Sequence, residues 1–290
     1  MVKLLSSNAR RGKPLVRRAR NCSLLTLGLV IGFLSGQVVA AERGITLAHP
    51  FRPDSVLSEW GRFIQQDVAK SAGVRVEVIG AGKFGRSEDL YEAVNSGYVD
   101  MAIVSAEVLA ERSGGWNVLS IPTLVPDDSV SLNLRHSDKF RRALEDVLSD
   151  RGAVATTVVW RPRGILSTVN PIRTPQDLRG RKVSAYASDR RFLESVGAST
   201  VRLFASEVPQ ALMVGVIDSV IVDPEVWSRG AIWSQFEGGY LTWSLKTSVF
   251  SSAYVLIVSR NVELDLGNRR WESFYQGLIS AADEFERYDR

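Results

Sequence analysis

Cysteine and histidine are almost missing from this sequence. Its 290 residues hold one cysteine, Cys22, and two histidines, His49 and His136. A lone cysteine excludes an intramolecular disulfide framework and a Cys-rich metal site. Two histidines leave little for a histidine-built metal centre. His49, just past the first predicted strand, reads as a turn residue, and His136, in a polar Arg-His-Ser-Asp segment, as a surface residue. No serine sits in a G-x-S-x-G context, so nucleophilic catalysis finds no support. Internal repeats and low-complexity tracts are also missing. What is present is ordinary globular material: 45% apolar, 23% charged and 9% aromatic residues, at a length that suits one large domain or two of common size. Of seven tryptophans, Trp227, Trp233 and Trp243 cluster late; most read as core by default, and lining of a ligand cleft is the other reading for a few.

The net charge of +4, from 36 Lys+Arg against 32 Asp+Glu, invites a nucleic-acid or membrane-surface reading. The excess is local. Residues 1–41 carry Lys3, Arg10, Arg11, Lys13, Arg17, Arg18 and Arg20 and no acid. An uncharged stretch over 21–41 follows, with an apolar centre (LLTLGLVIGFL) and a small-residue end (SGQVVAA). Basic, apolar and small-residue regions in that order predict a secretory signal cleaved after Ala40 or Ala41. Without it, 29 cations face 32 acids, a net charge of −3, and the case for nucleic acid disappears. The alternative is a retained membrane anchor, since the run is long enough to span and Gly28, Gly32 and Gly36 have helix-pairing spacing. Cys22 precedes the apolar core and so is not a lipoprotein cysteine. The Arg pairs lack the context of a twin-Arg signal. Export to an oxidising periplasm suits a mature chain free of cysteine.

From residue 44 onward strands and helices alternate. Strands are predicted over 44–51, 74–79, 99–105, 153–160, 182–187, 200–203, 219–223 and 253–259. Helices are predicted from Ser55 to Gly73, over 87–96, 138–148 and 189–197, from a Ser206 cap to Gly215, and over 270–288. Thr174-Pro175-Gln176-Asp177 adds a capped helix start. A region around Gly114, Gly115 and Pro122 reads as an interruption. The order β-α-β-α-β implies parallel sheets covered by helices, in two α/β lobes.

Residues 80–85 spell G-x-G-x-x-G between a strand and a helix, and Glu107 lies 22 residues after Gly85. On spacing alone this fits a dinucleotide fingerprint, with the acid on a ribose hydroxyl. A tight strand-to-helix turn explains the same glycines. The preceding strand alternates Val-Arg-Val-Glu instead of being buried on both faces, and another β-α unit comes before it; both favour the turn.

An ordered set of short motifs then resembles a known family. Ala-Gly-Lys-Phe-Gly at 81–85, Glu92-Ala93-Val94, Gly97, Val99-Asp100-Met101-Ala102 and Ile121-Pro122 are similar to the extracytoplasmic solute-binding proteins of TRAP (tripartite ATP-independent periplasmic) transporters, the DctP-like family. The second half agrees: Pro171-Ile172, Pro175-Gln176-Asp177-Leu178-Arg179-Gly180, Val196-Gly197-Ala198, Ser206-Glu207-Val208, Ala211-Leu212, Gly215 and Ile217-Asp218. The resemblance runs from about Ile45 to the last helix. It implies a two-lobed (Venus-flytrap) α/β architecture that closes on a small solute, usually an organic acid, for a membrane permease. The lobes are expected at 42–124, with a return segment near 220–250, and at 125–219, with 251–290 contributing the late strand and the C-terminal helix. Further helices are implied beyond 270–288, and the sequence ends at Arg290.

The family's principal carboxylate-binding arginine lies in a K-φ-R pattern, where this chain has Lys182-Val183-Ser184. The resemblance assigns the assisting arginine to Arg163, a polar ligand position to Asp223 and another contact to Ser105. Losing a cation at Ser184 and gaining an acid at Asp223 implies a neutral or cation-bearing solute, with Arg163 paired to Asp223 when the site is empty; a relaxed or lost site is the other reading of Ser184. The chain is thus expected to be an exported, monomeric solute-binding protein without catalysis, cofactor or metal, working with the permease subunits of a TRAP transporter. A ligand sensor for a membrane receptor and a nucleotide-dependent oxidoreductase using residues 80–85 are the alternatives.

Overall fold

Strand β1 (Ile45–Ala48) lies parallel between β2 (Val76–Ile79) and β3 (Met101–Ser105). Parallel neighbours need long crossovers, and two helices supply them. Helix α1 (Val56–Ala72) starts at Ser55, whose hydroxyl accepts from the Leu57 N–H, and stops at Gly73 in the left-handed region (φ 63°). It buries Leu57, Trp60, Ile64 and Val68, the apolar spacing of one helix face. Helix α2 (Ser87–Asn95) leads back to β3. The computed structural model describes residues 44–80, 83–85, 87–125, 127–148, 152–203, 207–223, 239–242 and 249–289. The expected leader with Cys22, the Ser206 cap and the three late tryptophans lie outside the described residues. Trp60, Trp116, Trp160 and Trp271 are buried, as expected of core residues.

The region predicted as an interruption is structured. Helix α3 (Ala106–Arg112) begins where β3 ends, a 3-10 helix covers Gly114–Ser120, and α4 (Asp128–Arg135) precedes α5 (Asp138–Val147). Strand β4 (Ala153–Ser167) runs well past Trp160, where the sequence ends it. Then come a capped 3-10 turn (Pro175–Leu178), β5 (Lys182–Ser184), α6 (Ala187–Ser195), β6 (Ser199–Val201), α7 (Val208–Met213), β7 (Ser219–Val222), β8 (Tyr240–Thr242) and β9 (Phe250–Ser259). Helix α8 (Arg260–Tyr288) is broken at Gly267, where φ is 67°.

The strand order is β2-β1-β3-β9-β4-β7-β5-β6, with β8 also on β4. Strand β4 is shared. Its residues from Ala153 to Arg163 pair antiparallel with β9, and Gly164 to Ser167 pair antiparallel with β7. The first sheet is covered on one face by a cluster including Trp116, Leu144 and Trp160, and on the other by Trp60, Phe274 and Phe285 from α1 and α8. Two smaller clusters cover the second sheet, around Val183 and Leu193 and around Leu166 and Ile217. Each large apolar side chain so buried contributes about 1.5–3 kcal/mol.

The expected lobe boundaries need correction. Strand β9 and helix α8, expected with the second lobe, pack with β3 and α1 in the first, as do α5 and the start of β4. Strand β7, expected in a return to the first lobe, pairs in the second sheet. The cause is the length of β4, which carries the antiparallel β9 back onto the first sheet.

Candidate functional site

Arg161 and Arg163 flank Pro162 on β4 and so project from the same side of the strand. They stand where β4 leaves the first sheet for the second. Arg163 engages both terminal nitrogens as a fork: Nη1 donates to Asp189 Oδ2 at 2.9 Å, and Nη2 donates to Asp189 Oδ1 at 2.8 Å and to the Ser251 carbonyl at 3.0 Å. Both members of the ion pair are buried, with side-chain exposures of 1% and 0%. The Tyr186 ring lies 5.1 Å from the guanidinium carbon. Burial alone would push the Arg163 guanidinium down, but the charges of Asp189 and Glu107 hold it above its ordinary value.

Arg161 faces two other carboxylates, Asp223 at 3.4 Å and Asp289 at 3.1 Å. Asp223, the expected partner of Arg163, pairs with Arg161. Register sets Gly164 opposite Val222, which brings Asp223 level with Arg163, yet its side chain goes to Arg161. Asp189, in the first turn of α6, meets the Arg163 fork with both oxygens, the geometry a guanidinium satisfies best.

Ser184 ends β5, buried between Val201 on β6 and Val220 on β7. Ser105 ends β3 opposite Tyr254 of β9, and its hydroxyl accepts from the Val108 N–H at 3.3 Å as the cap of α3. Arg163, Asp223 and Ser184 thus fall on β4, just after β7 and on β5, adjacent strands of the second sheet; Ser105 lies in the first. Sequence reasoning missed Arg161 and Asp189. The Arg-Pro-Arg alternation was a usable signal for the first; nothing local marks the second. Burial pushes the Tyr254 phenol up, with the charges of Asp223 and Glu107 adding to it.

His49 is buried instead of lying in an exposed turn: it is 4% exposed and stacks on Phe51 at 5.4 Å. Its ring fills the space where a Cβ on Gly80 would stand. That contact explains the first glycine of the 80–85 segment by packing, and β2 before it is the edge strand of the sheet. Gly82 is outside the described residues. His136 is at the surface, with Nε2 2.8 Å from Asp283. Among the described residues no group of three His, Cys, Asp or Glu side chains is placed to hold a metal, and no helix is long and apolar enough to cross a membrane.

Comparison with known proteins gives the same architecture. The family described as bacterial extracellular solute-binding protein, family 7, matches residues 60–227, more than half of the chain. The chain belongs to that family. A relative from Chromohalobacter salexigens, named a solute-binding protein, is 27% identical over 202 residues, covering 66% of this chain and 58% of its own. The chain spans about half the length of the curated relatives it matches, from 44% to 58%. Among solved structures, a TRAP periplasmic solute-binding protein from Ochrobactrum anthropi, with its C-terminus bound in the ligand-binding pocket, has a TM-score of 0.74 at 17% identity, covering 85% of this chain and 77% of that one. One from Sulfitobacter sp. NAS-14.1, with bound β-D-galacturonate, has a TM-score of 0.67 at 21% identity, covering 85% and 82%. The two-lobed α/β fold of family 7 is therefore the fold of this protein.

Proposed function

We propose that this protein captures a small polar solute between its two lobes and delivers it to the permease of a TRAP-type secondary transporter. The observation that carries the reading is the convergence on one stretch of β4 of charged side chains from both sides of the seam: Arg161 and Arg163 on β4 itself, Asp189 from α6, Asp223 after β7 and Asp289 from the end of α8. A polar solute leaving water needs such matched groups around it, and closing lobes supply them. The galacturonate held by the Sulfitobacter protein sets the expected size. Export through the segment 1–41, action as a monomer, contact with the membrane subunits and the absence of catalysis belong to the same reading. So do Arg163, Ser184, Asp223 and Ser105 as solute contacts.

The test is a thermal-shift screen of the purified protein against organic acids, polyols and amines, followed by small-angle scattering. A ligand at a hundred times its Kd stabilises the folded state by about 2.7 kcal/mol. At least one solute is expected to raise the melting temperature and shrink the radius of gyration. A library without a single such solute would overturn the reading.

A further inference from the structure

The lobes meet along α3 as well as along β4. Glu111 on α3 pairs with Arg202, just beyond β6, at 2.8 Å, and α6 lies against the 3-10 helix over Gly114–Ser120. Residues four apart share a helix face. Glu107, one turn before Glu111, therefore faces the same seam. It is half-buried, and its Oε1 accepts from the Ser120 hydroxyl at 3.0 Å. Among the described residues no cation pairs with it. Its charge adds to the upward push on Arg163, Asp189 and Tyr254, while the Glu111–Arg202 pair is largely exposed.

The arginines nearby are already answered by this chain's own acids. Asp189 fills the Arg163 fork, and Asp223 and Asp289 hold Arg161. Position 184, two strands from β4 across β7, holds a serine. Among the described residues two guanidinium groups thus stand with four carboxylates: Glu107, Asp189, Asp223 and Asp289. An acidic solute would bring a further negative charge to guanidinium groups already engaged. A neutral solute would fare little better, because closure over it would bury the Glu107 carboxylate with one hydroxyl and, among the described residues, no ion-pair partner.

We propose that the solute of this cleft carries a positive charge, as an amine or a quaternary ammonium, and that Glu107 receives it. The inference rests on the solute-capture reading and adds to it the charge of the solute and the residue that selects it. It turns the acid singled out by its spacing from the 80–85 glycines into a solute ligand.

Isothermal titration of the purified protein with choline, putrescine and agmatine, and separately with galacturonate, malonate and mannitol, tests it. At least one amine is expected to bind, and Glu107→Gln, which keeps the Ser120 hydrogen bond, is expected to weaken it by about tenfold or more while the unliganded melting temperature stays near that of the wild type. Glu107→Asp is expected to keep part of the affinity. Binding of galacturonate, malonate or mannitol without any amine overturns the inference and leaves solute capture standing. An amine that binds Glu107→Gln as tightly as the wild type overturns it as well. Should none of the six bind, the inference falls, and solute capture falls with it only if the wider library also yields no ligand.

Discussion

Two buried arginines of this protein have similar partners and different consequences. Arg135 on α4 is held by Asp283 and by Glu286 at 2.5 Å, donates to Ser131 Oγ at 3.0 Å, and reaches the Val158 carbonyl at 3.3 Å. Both of its acids sit on α8, and every partner belongs to the first lobe. Arg163 is equally buried, but its partners are Asp189 on α6, which packs on the second sheet, and a carbonyl of β9, a strand of the first. A buried ion pair returns little net stability, although removing one member leaves a charge stranded. Within one lobe such a pair is a fixed staple. Across the seam it becomes part of the equilibrium between open and closed forms.

The comparison breaks first, if it breaks, at Arg135. Arg135→Ala strands Glu286, whose carboxyl burial already pushes above the usual range. A loss of about 3–5 kcal/mol is expected in chemical denaturation, with no change in solute preference. Asp189→Asn should cost less, about 1.5–3 kcal/mol for a charge-assisted hydrogen-bonded partner, and it should let the released Arg163 take malonate in titration. Equal losses without malonate binding would make the two arginines alike.

Inside the first lobe, Gly80→Ala drives a methyl into the His49 ring, and overpacking of that kind costs about 1–3 kcal/mol in a thermal melt. Burial also holds His49 below the ordinary imidazole value of 6.5. Below that pH the unfolded chain takes up a proton that the folded protein refuses, so stability falls on acidification. The melting temperature should drop from pH 7 to pH 5, and His49→Phe should flatten that slope. The smallest effect is expected at the rim of the seam. Arg202→Ala removes a pair in which the arginine is 65% and Glu111 49% exposed, worth about 0.2–1 kcal/mol. Its readout is the radius of gyration of the unliganded protein, which should rise.

Much of the first lobe was legible because its signals are local. Ser55 and Gly73 bracket α1 at the expected residues, and β2, α2 and β3 follow at the expected spacing. Helix α3 escaped because its cap, Ser105, is also the last residue of a strand, leaving no turn between them. Pro162 hid the second half of β4, since proline argues against a strand interior, yet here it sits where the strand changes sheets. At the site, the resemblance put Arg163 and Asp223 in one region and paired them, whereas Asp223 meets Arg161 and Asp189 meets Arg163. Asp189 is 26 residues from Arg163 along the chain, and only the docking of α6 brings them together. His49 was misjudged for a related reason: its burial depends on Gly61 and Gly80, contributed by other elements.

Strand β4 runs through both sheets without a break. Neither lobe can therefore be cut out as a complete piece, for each would lose one rail of its ladder. Unfolding one lobe frays the strand that organises the other, so the shared strand couples the melting of the two lobes.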